Sequence, residues 1–128
     1  MRKQPIFVAV DTNNIKRAIQ IVNATNKYIY GVKFGLEFFC SKGGREAVKK
    51  FKNKNVKIFL DLKLKDIPNT VYKAIKSLKD ISPDYLTIHA GGGLEMMKAA
   101  KNGCFLINLF YRTSSQFFYR FPQEMYLN

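Results

Sequence analysis

The chain has 128 residues, of which 47% are hydrophobic and 14% aromatic, and its formal net charge is +13. This length fits a single domain, and the apolar content is too high for a wholly disordered chain. There is no apolar run long enough to cross a bilayer, and the N-terminus reaches Asp11 too early for a secretory signal, so we expect a cytoplasmic protein without membrane contact.

The positive charge comes from lysines that are spread along the whole chain and are densest in helix-like segments such as EAVKKFKNKN. They occur without an RNA-binding or helix-turn-helix pattern, so we interpret them as a solvated surface and predict no nucleic-acid partner. Binding to nucleic acid through charge alone is the alternative, and steep salt dependence would reveal it. Cys40 and Cys104 lack metal or redox spacing and are expected to be reduced, buried thiols.

Strand-like and helix-like segments alternate along the chain. Short β-branched, apolar runs predict strands at 5–11, 28–35, 55–63 and 83–93, with a possible fifth at 104–110. Apolar residues at helical spacing predict helices at 13–26, 44–53, 69–80 and 94–102. Asn13 or Asn14 is suited to cap the first helix, Pro68 to open the third, and Gly103 to stop the fourth.

This alternation predicts βα units around a parallel sheet, which is an α/β fold. The strands lack strict polar alternation, as expected when both faces of a sheet are covered. Beyond residue 103 the composition shifts to Tyr, Phe and Arg without a helical period. We therefore predict four βα units within residues 1–103, then a possible fifth strand and an irregular, divergent tail over 104–128.

Polar side chains stand at the carboxyl ends of four predicted strands. They are Asp11, Lys33, Asp61, Lys63 and His89. The carboxyl ends of parallel strands are where α/β sheets and barrels place their ligands, so this edge is the candidate site. We interpret His89 as a structural residue of the rim, and the three glycines that follow at 91–93 as a turn.

The stretch IFLDLKLKDIPNTV, residues 58–71, contains an unusual density of charge for a core strand. Asp61 and Lys63 are two residues apart, so both point to the face of Phe59, while Ile58, Leu60 and Leu62 point the other way, toward the helices. A lysine held by carboxylates stays protonated, which favours a proton donor or a cationic clamp over a nucleophilic amine. From the residues alone, a structural ion pair and a catalytic one remain equally open.

The run DLKLKDIPNT, residues 61–70, resembles the D-x-K-x-x-D-I-P-N-T signature of the orotidine 5′-monophosphate decarboxylase family. VAVD (8–11), YGVKFGLEFFCSKG (30–43) and YLTIHAGGGLEMMKAA (85–100) resemble further segments of the same family. The resemblance covers about residues 5–103 and implies the N-terminal half of a (β/α) TIM barrel. The fold expected here is thus a partial TIM barrel.

The resemblance also implies a function, namely decarboxylation of orotidine 5′-monophosphate to uridine 5′-monophosphate in de novo pyrimidine synthesis. Lys33, Asp61, Lys63 and Asp66 are implied to form an alternating charged chain. In that chain, Lys63 donates a proton to carbon 6 of the pyrimidine after carbon dioxide leaves. No metal and no organic cofactor are implied.

Substrate contacts are implied for Asp11, which binds the ribose hydroxyls, and for Lys33, Ile67 and Thr70. In the family, the equivalents of Asp66, Ile67 and Thr70 reach into the site of the partner subunit. A homodimer that binds a small nucleotide is therefore implied.

The chain departs from the family in length, because TIM barrels usually take about 250 residues. The family binds the substrate phosphate with Gln and Arg side chains from late in the chain, and neither Arg112 nor Arg120 in the tail is assigned that role. We expect a truncated or frame-shifted chain with impaired activity. Two alternatives remain: an inactive half-barrel remnant or interaction module, and a Mg²⁺-dependent hexulose-phosphate synthase or keto-gulonate-phosphate decarboxylase.

Overall fold

A computed structural model of the protein describes residues 2–104, 107–112 and 118–119. The described strands form one sheet in which each strand lies beside the next one in the chain. They are β1 (Gln4–Val10), β2 (Ile29–Gly35), β3 (Lys57–Leu64), β4 (Tyr85–His89), β5 (Asn108–Arg112) and β6 (Phe118–Tyr119). Strands β1 to β5 run parallel, and β6 pairs antiparallel with β5.

Helices connect the parallel strands of this sheet. They are α1 (Ile15–Thr25), α2 (Leu36–Cys40), α3 (Gly44–Phe51), α4 (Pro68–Ser77) and α5 (Leu94–Gly103). Strand order follows chain order throughout, as in a (β/α) barrel and unlike a doubly wound sheet, whose strand order reverses at a switch point.

The helix starts follow the local signals in the sequence. The Asn14 side chain accepts a hydrogen bond from the backbone N–H of Arg17 at 3.0 Å and so caps α1. Pro68 is the first residue of α4, where its missing N–H has no intrahelical partner to lose. Both predictions are confirmed, and together they place each helix directly after the polar end of a strand.

The core lies between one face of the sheet and the helices. Ile58 and Leu60 of β3 are fully buried and Leu62 is nearly so, which confirms that these three side chains face the helices. Phe34 of β2 stacks on Phe51 of α3 with ring centroids 5.3 Å apart. Burial of such side chains is the main stabilising term of the fold, at about 1.5–3 kcal/mol each.

The opposite face of the sheet holds an aromatic cluster near the amino ends of the strands. Phe7 packs edge-on against Tyr30, Phe59 and Tyr85, with ring centroids 5.3–5.5 Å apart. The hydroxyls of Tyr30 and Tyr85 lie 2.9 Å apart and form a hydrogen bond. The same face of the sheet carries the charged residues nearer the carboxyl ends of the strands, so the aromatic cluster packs next to them.

The structure corrects the sequence-based expectations at three points. Helix α2 was not predicted, because five residues are too few to show a helical period. Strand β6 lies in the segment expected to be irregular, and β5 extends into it as far as Arg112; residues 113–117 and 120–128, with Arg120, are outside the described residues. Cys40 is exposed rather than buried, since it ends α2 at the surface. Among the described residues, no helix is long and apolar enough to cross a membrane.

Candidate active site

A cluster of opposite charges lies at the carboxyl end of the sheet, and we call Lys33, Asp61 and Lys63 the charged cluster. The Nζ atom of Lys63 lies 2.9 Å from Asp61 Oδ2, and the Nζ atom of Lys33 lies 3.5 Å from the same oxygen. The Asp61 side chain is only 7% exposed, whereas the two lysine side chains are about one third exposed, at 32% and 35%. The buried carboxylate of Asp61 thus holds the ammonium groups of two partly exposed lysines close together.

The register of the sheet explains how Lys33 reaches this carboxylate from another strand. In the pairing of β2 with β3, Lys33 lies opposite Phe59 and Gly35 lies opposite Asp61. Side chains two residues apart on a strand share a face, so Lys33, Phe59 and Asp61 all point to the same side. The long Lys33 side chain extends toward the carboxyl end and meets Asp61 there.

Lys63 departs from regular strand geometry. Its φ is +51°, in the left-handed region that residues other than glycine seldom adopt. The pairing of β3 with β4 shifts at the same place, from Leu60 opposite Leu86 to Leu64 opposite Ile88. Three residues of β3 therefore face one residue of β4, which is a bulge, and bulges often redirect side chains beside functional sites.

The residue of β4 that faces this bulge is Thr87, and it is completely buried. Its hydroxyl donates a hydrogen bond to Asp61 Oδ1 at 2.8 Å and accepts one from the backbone N–H of Lys63 at 2.9 Å. Sequence reasoning missed Thr87. The available signal was a polar residue between Leu86 and Ile88 in a buried strand, but threonine is common in strands and does not stand out.

The charges of the cluster keep Asp61 ionised. Burial acts to raise the pKa of this carboxyl, but hydrogen bonds from Lys63 and Thr87 and the charges of the two lysines hold it below its ordinary value of 3.8. At neutral pH, the cluster therefore contains one carboxylate between two ammonium groups. Such an arrangement presents positive charge in fixed positions, which is suited to stabilising a developing anion.

Within the described residues, the fourth predicted member of the charged chain, Asp66, forms no ion pair with the other three. Its side chain is exposed, and Oδ1 accepts a hydrogen bond from the backbone N–H of Ile67 at 2.7 Å, just before α4. Ile67 is 67% exposed, and Thr70 in the first turn of α4 is also exposed. The implied contacts of these three residues with a partner subunit remain predictions, and their side chains are accessible for them.

Two further predicted residues flank the cluster at the same edge. Asp11 is exposed and follows β1 directly, as expected for a side chain that meets a ligand at the ends of the strands. His89 ends β4, and its Nδ1 accepts a hydrogen bond from the backbone N–H of Gly91 at 2.9 Å. The neighbouring glycines form a tight turn with Gly93 at φ +91°, which supports the interpretation of this segment as structural.

Comparison with protein families gives a match over most of the chain. Residues 4–106 match the model of the Orotidine 5'-phosphate decarboxylase / HUMPS family. The orotidine 5'-phosphate decarboxylase of Sphingopyxis alaskensis is 44% identical over 97 residues, which cover 76% of this chain and 43% of that protein. The enzyme of the same name from Malacoplasma penetrans is 38% identical over 105 residues, which cover 82% of this chain and 45% of that protein.

Solved structures agree with the sequence matches. Orotidine 5'-phosphate decarboxylase from Lactobacillus acidophilus superposes with a TM-score of 0.72 at 33% identity, over 85% of this chain and 52% of that one. The enzyme from Pyrococcus horikoshii gives a TM-score of 0.73 at 27% identity, over 83% and 50%. The predicted partial TIM barrel is thereby confirmed, and the chain spans about half the length of these relatives.

Proposed function

The chain belongs to the orotidine 5'-phosphate decarboxylase / HUMPS family, and we propose that its charged cluster decarboxylates orotidine 5′-monophosphate to uridine 5′-monophosphate. One observation carries the proposal: two ammonium groups from different strands converge on a single oxygen of a buried carboxylate. We further propose that this reaction takes place in the cytoplasm, as a step of de novo pyrimidine synthesis.

The proposed chemistry needs a cation beside the reacting carbon. When the bond between carbon 6 and the substrate carboxylate breaks, carbon dioxide leaves and the electron pair remains on carbon 6 of the ring. The ammonium of Lys63 stabilises this anion and then transfers a proton to carbon 6, after which the neutral amine regains a proton from solvent. The short contact of Lys63 with Asp61, at 2.9 Å, holds the ammonium in position for that step.

Asp61 and Lys33 are proposed to hold Lys63 ready for reaction. Asp61 is fixed by burial and by three side-chain partners, so its negative charge keeps both ammonium groups oriented. A preoriented site has little reorganisation left to do as charge develops on the substrate. In this proposal Lys33 also contacts the substrate, and Asp11 binds the ribose hydroxyls.

We further propose that the protein acts as a homodimer. Asp66, Ile67 and Thr70 are exposed on the segment that opens α4. Ile67 in particular is a large apolar side chain that is 67% exposed just before α4, where a second copy would cover it. These residues would complete the nucleotide site of the second copy.

Turnover of orotidine 5′-monophosphate by the purified protein tests the proposal, with Lys63→Ala and Lys57→Ala as a matched pair. Both lysines are on β3 and both pair with an aspartate, but Lys57 pairs with Asp84 at the amino end of the sheet, at 3.4 Å. Loss of the proton donor should slow turnover by about 10²–10⁴-fold in Lys63→Ala. Lys57→Ala should keep wild-type turnover.

The substrate concentration in this assay should reach the millimolar range. Contacts with a remote phosphate supply binding energy that the charged cluster alone does not, so the assay should also detect weak binding. A folded wild-type protein without turnover, or equal turnover in both variants, contradicts the proposal. Parallel assays with hexulose phosphates, with and without Mg²⁺, identify the metal-dependent alternative if turnover appears only there.

A further inference from the structure

We propose that Thr87 is a positioning residue that couples the backbone of Lys63 to the carboxylate of Asp61. Its hydroxyl is the one group in the described structure that bonds to both residues. The hydroxyl neither pairs with an ammonium group nor carries a charge, so its role is to orient the members of the charged cluster. The effect on catalysis rests on the proposed function above, whereas the effect on geometry does not.

The directions of the two hydrogen bonds are determined by chemistry. The backbone N–H of Lys63 can only donate, so the Thr87 oxygen accepts that bond. Asp61 is ionised and can only accept, so the single hydrogen of the Thr87 hydroxyl points at Asp61 Oδ1. The chain of bonds therefore runs in one direction, from the Lys63 amide through Thr87 to Asp61, and neighbouring bonds in such a chain strengthen each other.

This bond gives the two oxygens of Asp61 different tasks. Oδ1 receives the Thr87 hydroxyl, while Oδ2 receives both lysines, at 2.9 Å from Lys63 and 3.5 Å from Lys33. Without the hydroxyl, only the two flexible lysine side chains would restrain rotation of the carboxylate about its Cβ–Cγ bond. Thr87 thus sets the plane of the carboxylate and, through it, the place where the two ammonium groups meet.

The same hydroxyl supports the bulge at Lys63. Three residues of β3 face Thr87 alone, so the regular ladder of backbone hydrogen bonds is interrupted there. A half-buried backbone N–H without a partner destabilises the fold, and the Thr87 hydroxyl supplies that partner to the N–H of Lys63. The left-handed backbone of Lys63 directs its side chain, so Thr87 controls the position of the ammonium from the backbone side as well.

Thr87→Val and Thr87→Ser separate the hydroxyl from the shape of the side chain. Valine keeps the volume and removes both hydrogen bonds, whereas serine keeps the hydroxyl. In Thr87→Val we expect the pKa of Asp61, followed by carbon-13 NMR of its carboxyl, to rise, and the amide of Lys63 to exchange about five- to tenfold faster. Thr87→Ser should return both values toward those of the wild type.

Thr25→Val is the matched control, because the Thr25 hydroxyl bonds to the carbonyl of Ile21 within α1, away from the cluster. It should change neither the Asp61 pKa nor the exchange of the Lys63 amide. If Thr87→Val does not fold, Thr87→Ala provides the same comparison. A pKa of Asp61 that is unchanged in the folded variant overturns the proposal, whether or not the protein has activity.

Kinetics then test the catalytic consequence. With orotidine 5′-monophosphate as substrate, Thr87→Val should lower kcat by about ten- to a hundredfold while KM changes little, and Thr87→Ser should restore kcat. If the wild type has no turnover but the NMR measurements change as expected, the positioning role stands and the proposed function fails. If turnover is normal in Thr87→Val, the positioning role fails and the proposed function stands.

Discussion

Two aspartates at opposite ends of the sheet occupy similar electrostatic surroundings but have different partners. Asp61, near the carboxyl end of β3, and Asp84, just before β4, are each contacted by two lysines. Burial acts to raise the pKa of each carboxyl, but hydrogen bonds and the nearby ammonium charges hold both below 3.8. Charge and pKa therefore do not separate the carboxylate proposed to act in catalysis from the structural one.

The partners of Asp84 are largely backbone groups. Its carboxylate accepts a hydrogen bond from the N–H of Ile58 at 2.9 Å, and its own N–H donates to the Ile58 carbonyl at 2.9 Å. Its carbonyl accepts bonds from the backbone N–H and the side-chain amide of Asn108, at 3.0 and 3.1 Å. We call these bonds the backbone clamp, because they join the amino ends of β3, β4 and β5.

The carboxylate of Asp61, by contrast, is held within the described structure by side chains alone, namely one hydroxyl and two ammonium groups. It also lies at the carboxyl end of the sheet, where α/β folds bind their ligands. Perturbed carboxylates occur in structural networks as well as in active sites. What distinguishes Asp61 from Asp84 is therefore its side-chain partners and its place at the carboxyl end of the sheet.

We expect the two aspartates to differ most in their effect on decarboxylation, which is measured after the charge of each is removed. Asp61→Asn should lower kcat by about 10²–10³-fold, since it removes a preoriented charge from the cluster. Asp84→Asn should stay within about twofold of the wild type, because the asparagine oxygen can still accept from Ile58 and the site is remote. Equal losses in the two variants would mean that both ends serve only stability.

The sequence predicted the polar residues at the carboxyl end of the sheet better than those at the amino end. Asp61, Lys63 and Lys33 were identifiable because charges are unusual in apolar strands and because DLKLKDIPNT is a specific pattern. Asp84 was not singled out, since an aspartate after a proline reads as an ordinary turn residue. Its role depends on backbone groups of two other strands, which become neighbours only when the sheet forms.

Local order was predictable to the extent that it depends on neighbours in the chain. The strand and helix order, the Asn14 cap and Pro68 at the start of α4 all follow from local chemistry. The left-handed backbone of Lys63 and the bonds of Thr87 could not be predicted, because they arise from a register shift between β3 and β4. That shift is set by the packing of the sheet rather than by either strand alone.

Stability should show the opposite ranking of the two aspartates. Asp84→Ala should lower the free energy of unfolding by about 1–3 kcal/mol, because it leaves the buried N–H of Ile58 without an acceptor. Asp61→Ala should cost less, because the two lysines that lose their partner are about one third exposed and water can hydrate them. Urea denaturation followed by circular dichroism measures both. A larger loss in Asp61→Ala would show that the charged cluster, not the backbone clamp, supports the fold.

The smallest expected effect is the acid dependence of stability. The pKa of Asp84 is lower in the folded chain than its ordinary value of 3.8, so the unfolded chain binds more protons as the pH falls below that value. The stabilisation is therefore complete above about pH 4 and is lost as the pH falls through the folded pKa. Asp84→Asn should flatten this decline in urea denaturation series.

Asp80 provides the control for that measurement. Its pKa is also lowered, and it pairs with Arg45 at 2.5 Å, but its side chain is 43% exposed. Exposed pairs are screened by water and salt and contribute little to stability, so Asp80→Asn should flatten the acid decline less than Asp84→Asn does. Equal flattening would mean that acid sensitivity follows the overall surface charge. A larger effect at Asp84 locates it in the backbone clamp, where the charge is bound to the N–H of Ile58 as well as to two lysines.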